Sequence, residues 1–183
     1  MNERSLKITA AIGLLIGGIF GMIGSFVSSS SLRCLAWGLD GIGLIIATAL
    51  LAVYYFRRGW DITAAGFIIF AIGESLVLSS SGFDLDANAF TFGAGCGLWA
   101  ASLFVISFQK TYPLFIRITG LLAAVLFSMV AVHIFMGDHL HALTKPLPFY
   151  AYPLFVITIF GWAWTLLKEG SYAPGKQHSE ING

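Results

Sequence analysis

Residues 8–27 read ITAAIGLLIGGIFGMIGSFV, twenty positions with no charge, no proline and no regular alternation of polar and apolar side chains. Wound as an α-helix at 1.5 Å per residue, such a run covers the ~30 Å hydrocarbon core of a bilayer. Five more apolar runs follow, at 34–56, 62–78, 87–108, 113–136 and 147–167. Strands of a transmembrane barrel alternate apolar and polar residues over about ten positions. These runs are continuously apolar at about twice that length, so the expected fold is all-α: a polytopic bundle of about six transmembrane helices with short loops. The first run follows MNERSLK and superficially resembles a secretory signal. It is longer than a signal core and lacks an A-x-A cleavage site, so it reads as the first span.

Composition agrees. Of 183 residues, 57% are hydrophobic and only 10% charged, against about 25% charged in soluble domains, too few to cover a water-facing surface. A net charge of +1 leaves no basic face for nucleic acid once the membrane flanks are assigned. Two cysteines, Cys34 and Cys96, make no disulfide framework, and their different depths predict that they stay unbridged. Residues 1–168 form one transmembrane domain, and 169–183 read as a polar cytoplasmic tail.

Basic residues set the orientation. Arg4, Lys7, Arg57, Arg58, Lys110, Arg117, Lys168 and Lys176 flank one side, whereas only Arg33 and Lys145 flank the other. The positive-inside rule then places both termini in the cytoplasm of a cell whose plasma membrane the chain crosses. Aromatic residues near the span ends read as interfacial anchors, Trp37, Tyr150 and Tyr152 outside and Tyr54, Tyr55, Trp60, Tyr112, Trp162 and Trp164 inside.

Small residues four apart allow helices to approach closely in lipid. Gly13, Gly17 and Gly21, continued by Gly24, form such a ridge on the first span. Gly93 and Gly97 do so on the fourth and Gly120 on the fifth. Static tight packing, within or between subunits, explains these ridges more simply than a sliding surface.

Charges inside the bilayer cost about 2.5–3.5 kcal/mol each on insertion scales and so point to function. Glu74 lies about 18 Å along the third span from its inner end, near the midplane. It must be protonated, paired, hydrogen-bonded or wetted there. Asp40 lies about 9 Å from the outer end of the second span, where pairing with Arg33 or wetting from outside is the plainer reading. Trp99 and His133 complete the candidates, and convergence of the four would make a vestibule open to the outside and closing near Trp99. Depth is readable from the chain; convergence is not. Trp99 also reads simply as a space-filler.

Asp138, His139 and His141 are weak metal candidates, since alternate histidines are common in solvated turns. His133 alone cannot supply a bis-histidine haem site, so no cofactor is assigned, and His178 reads as solvated. Cys96 reads as an inert buried thiol, and no P-loop, HExxH or GxSxG sequence is present, so no enzyme activity is assigned. The stretch GCGLW at 95–99 is similar to a Gly-Leu-Trp-bearing span of the acetate uptake transporters, but the Asn-Pro-Ala-Pro-Leu-Gly-Leu motif of that family is missing. No family residues are carried across. Two functions remain: a small-solute, ion or proton-coupled transporter or channel lined by Glu74 and Asp40, or a non-catalytic subunit of a larger membrane assembly. Its partners are the lipid bilayer and either further copies of itself or other subunits.

Overall fold

The computed structural model describes residues 2–82 and 84–169, and the tail at 170–183, with His178, lies outside the described residues. The chain is an all-α bundle of six helices: α1 (Glu3–Phe26), α2 (Ser30–Phe56), α3 (Asp61–Ser80), α4 (Ala89–Phe108), α5 (Leu114–Phe135) and α6 (Tyr152–Glu169). The first five are long and apolar enough to cross a membrane, and the chain is a multi-pass membrane protein. Helix α1 starts five residues before the apolar run, because the Asn2 side chain accepts a hydrogen bond from the Ser5 backbone N–H at 2.8 Å and caps the first turn. Helix α6 starts five residues after its run begins. Pro146 and Pro148 lack the N–H a helix needs, while Pro153 falls in the first turn, where none is required. At 18 residues, α6 is about 27 Å long, the shortest of the six.

Each helix packs on its neighbours in sequence, and α6 packs on α1 as well as on α5, so the six close into a ring. The outside of this ring is apolar. In α1, Ile8, Ile12, Ile16, Ile19 and Ile23 form one exposed stripe, and comparable stripes run along α2 and α5. Such a surface is matched by lipid rather than by water.

The inside of the ring is filled by aromatic side chains. Phe70 stacks on Phe155 with centroids 5.5 Å apart. Trp99 packs against Phe155 at 4.7 Å and Phe127 at 5.1 Å, and Trp162 meets Phe67 at 5.1 Å. This corrects the anchor reading for several aromatics. Trp37, Tyr54, Tyr55, Tyr112 and Trp162 are buried, while Trp60, Tyr150 and Trp164 remain exposed. Six helices in a ring leave more central space than aliphatic side chains fill, and large rings occupy it. Some of their polar tips are matched within the protein, as where Tyr55 Oη donates to Tyr112 Oη at 2.7 Å.

Glycines set the closest helix crossings. A Cβ on Gly13 would sit 2.7 Å from the Gly43 carbonyl oxygen, so α1 and α2 touch backbone to backbone there. A Cβ on Gly95 would lie 3.0 Å from the Gly73 carbonyl oxygen, an equally close approach of α3 and α4. Gly93 faces Ile134 and Gly120 faces Ser107, whereas Gly97 makes only ordinary contact with Ala131. The α1 ridge is therefore occupied from within the chain, by α2.

Candidate functional site

The candidate site lies beside these two crossings, on α1–α2 and on α3–α4. Close approach of α1 and α2 presses Asp40 into the glycine ridge. Its Oδ2 lies 2.8 Å from where a Cβ on Gly21 would be, and its Oδ1 3.3 Å from the corresponding point on Gly17. Any side chain at Gly21 would occupy the space of the carboxylate. The α3–α4 crossing at Gly73 and Gly95 sets Glu74 beside Trp99, since a Cβ on Gly73 would fall 3.2 Å from the Trp99 ring.

Asp40, Glu74 and Trp99 line one narrow cavity, with about 30 Å³ open to water-sized molecules. Trp37, Tyr152 and Phe155 add further aromatic rings to its walls, beside aliphatic side chains such as Leu44 and Val77. It reaches the bundle end at Ser81 and Ala142 and the α1–α6 seam at Met22 and Val156. Asp40 retains partial exposure, whereas Glu74 is 1% exposed. Below the cavity Phe70, stacked on Phe155 and met edge-on by Trp162, closes the interior.

Two polar atoms at this site lack partners. Glu74 Oε2 and Trp99 Nε1 are buried, and neither completes a hydrogen bond although the indole faces the carboxylate. Buried polar groups are nearly always satisfied by protein or by ordered water, so this pair marks a place for a guest. Hydroxyls elsewhere in the spans are satisfied: Thr48 donates to the Leu44 carbonyl at 2.7 Å, and Thr158 donates to Thr119 at 3.0 Å.

Arg33, considered as a partner for Asp40, lies instead over the Trp37 ring, 5.7 Å from its centroid, and forms no ion pair with the acid. The α2 helix carries the two residues about ten ångströms apart along its axis, seven positions in all, which puts them at different depths. His133 is not at the cavity. It sits exposed at the end of α5, its Nδ1 2.6 Å from Asp138 Oδ2. His139 is exposed, and His141 Nδ1 accepts the Leu143 N–H at 3.2 Å, within its own turn. Among the described residues, no three His, Cys, Asp or Glu side chains gather to hold a metal. Cys34 and Cys96 are both free thiols, Cys96 fully buried and Cys34 donating weakly to the Ser81 carbonyl at 3.6 Å.

Sequence reasoning missed three wall residues. Trp37 and Tyr152 read as anchors because each lies near a span end, and Phe155 carried no signal beyond being apolar. No protein-family model, curated protein or solved structure matches the chain, so the geometry stands alone as a guide to function.

Proposed function

We propose that this protein is a small-solute, ion or proton-coupled transporter whose exchange site is the Asp40–Glu74 pair. The observation that carries the reading is one cavity holding two membrane-embedded carboxylates, one with a polar atom unmatched by the protein. Ionisable groups within a membrane face bundle interiors and mark ion or proton routes. No basic side chain lines the cavity. Its other ionisable neighbours are Tyr152 on α6, in the wall, and the buried Cys96 on α4; α1 contributes only glycines and Met22. A carboxylate pair of this kind can bind and release a proton or a cation. The basic-residue bias supports an orientation in which this cavity faces outward and both termini face the cytoplasm. The ring floor of Phe70, Phe155 and Trp162 then separates the cavity from the cytoplasmic side, which suits a carrier caught on one side of its cycle better than an open pore.

Glu74→Gln keeps shape and hydrogen-bonding capacity while removing titration. In reconstituted vesicles the variant should fold and assemble as the wild type does, yet lose pH-dependent flux. Full pH-dependent flux in Glu74→Gln would remove the exchange reading.

A second reading, a subunit of a larger membrane assembly, draws support from one surface feature. Between α2 and α3 runs a groove of about 470 Å³ in which Ala49, Ala52, Ala64 and Ala71 lie among larger side chains such as Phe56 and Ile68. Small residues of this kind accommodate a neighbouring helix. Purification in mild detergent separates the readings: stoichiometric protein partners favour the subunit, a lone chain or homo-oligomer the transporter.

A further inference from the structure

We infer that the cavity takes a compact cation of the ammonium class, ammonium itself or a short primary alkylammonium, held between Asp40 and Glu74. The inference rests on the reading of this pair as an exchange site and specifies what it exchanges. Three features of the wall carry it.

Charge comes first. Two carboxylates line the cavity with no lysine, arginine or histidine beside them, and the nearest cation in the outer part of α2, Arg33, is engaged on Trp37. A cation is the guest that would stabilise these two acids in their charged form. Hydrogen-bonding capacity comes second. Glu74 Oε2 is a buried acceptor that the Trp99 N–H faces without completing a hydrogen bond, at 1% residue exposure and set against the cavity. A guest that donates N–H bonds satisfies it, and Asp40 offers further acceptor oxygens from α2. The unmatched Trp99 N–H needs an acceptor, which a water entering beside the guest provides.

The rest of the wall comes third, and it separates an ammonium ion from a metal ion. Calcium takes six to eight oxygen ligands, and magnesium keeps an octahedral oxygen shell. Among the described residues no three metal-ligating side chains assemble anywhere. The rest of the wall includes four aromatic rings, Trp37, Trp99, Tyr152 and Phe155, among aliphatic side chains such as Leu44 and Val77. Aromatic rings stabilise ammonium-type cations through their quadrupoles, most strongly when water is excluded. A cation with directed N–H bonds for the two carboxylates and residual charge for the rings matches this wall. An ion needing an oxygen shell does not. The open space of about 30 Å³ limits the guest to a few non-hydrogen atoms.

The test uses the full-length protein in detergent at mildly alkaline pH, still below the range in which the probes lose their proton, so that the probes stay charged and the two acids are not driven to their neutral form. Isothermal calorimetry and tryptophan fluorescence, with Trp37 and Trp99 at the site, follow titrations with ammonium, methylammonium, potassium and tetramethylammonium chlorides at constant ionic strength. Potassium has the charge and nearly the radius of ammonium but no N–H donors; tetramethylammonium is larger and also lacks them. Saturable binding is expected for ammonium and methylammonium only. Asp40→Asn and Glu74→Gln should each weaken it about tenfold or more, the effect of losing one charge-assisted hydrogen bond. Trp99→Phe, which keeps a ring and removes the N–H, should retain binding. Potassium binding as well as ammonium would overturn the inference, as would the absence of saturable binding in protein whose thermal unfolding is normal. Proton uptake by the same protein in vesicles separates this failure from failure of the exchange site. If Glu74-dependent uptake persists without ammonium binding, only the ammonium assignment falls; if uptake is absent too, both fall.

Discussion

Trp99 illustrates how one residue can serve packing and a site together. Its ring is 3% exposed and contacts Phe127 and Phe155, while its Nε1 is one of the two unmatched atoms beside the cavity. These roles separate by substitution. Trp99→Phe keeps aromatic volume near the same neighbours and should cost less than about 1.5 kcal/mol, the usual range for near-conservative core changes. Trp99→Ala opens a hole in the ring floor and should cost about 3–5 kcal/mol. Unfolding midpoints in detergent check both, and equal effects would mean that ring packing at this position is not what the substitution to alanine costs. The same logic governs Asp40. Its carboxylate occupies the notch left by Gly17 and Gly21, so Gly21→Ala should perturb the site at modest cost to the fold.

Between elements, the decisive contacts are those where two helices meet with no side chain between them. Gly13 on α1 and Gly43 on α2 form one such contact, and an added methyl on Gly13 meets backbone, which cannot rotate away. Gly13→Ala should therefore destabilise the bundle by about 1–3 kcal/mol, the cost of overpacking. Gly38, also within α2, would have nothing within 4 Å of an added methyl, so Gly38→Ala should be neutral or should stabilise by up to about 1 kcal/mol through better helix propensity. Comparing the two by thermal unfolding tests whether the ridge acts through contact or merely through glycine content. The same scale explains why α6 is short: its prolines fall in the six residues preceding it and in its first turn.

For the whole molecule, closure of α6 onto α1 creates an interior with two unlike ends. At the N-terminal end, Lys7 is ion-paired with Glu3 at 3.8 Å, and Glu3 also pairs with Arg58. At the other end the acids of the cavity have no basic partner. The proposed orientation places the cavity end outside, and the protein's own thiols test it. Cys34, half-buried near the start of α2, should react with an impermeant thiol reagent applied to intact cells, while Cys96, fully buried, should not. Labelling of Cys34 only in inverted vesicles would reverse the orientation.

The number of helices, their approximate limits and their membrane residence follow from the sequence by itself, because hydrocarbon thickness dictates the length of an apolar run and leaves helices as the fitting solution. The depths of Asp40 and Glu74 follow from the same counting. Which faces turned inward did not. Apart from the glycine ridge of α1, periodicity alone did not mark the buried side of each span, so Trp37, Tyr152 and Trp162 read as anchors when they are interior. Only the tertiary structure brought Asp40, Glu74 and Trp99 into one cavity and left His133 outside it. The reason is geometric: convergence depends on how each helix is rotated about its axis, and that rotation is set by the backbone contacts at Gly13–Gly43 and Gly73–Gly95, between residues far apart in the chain.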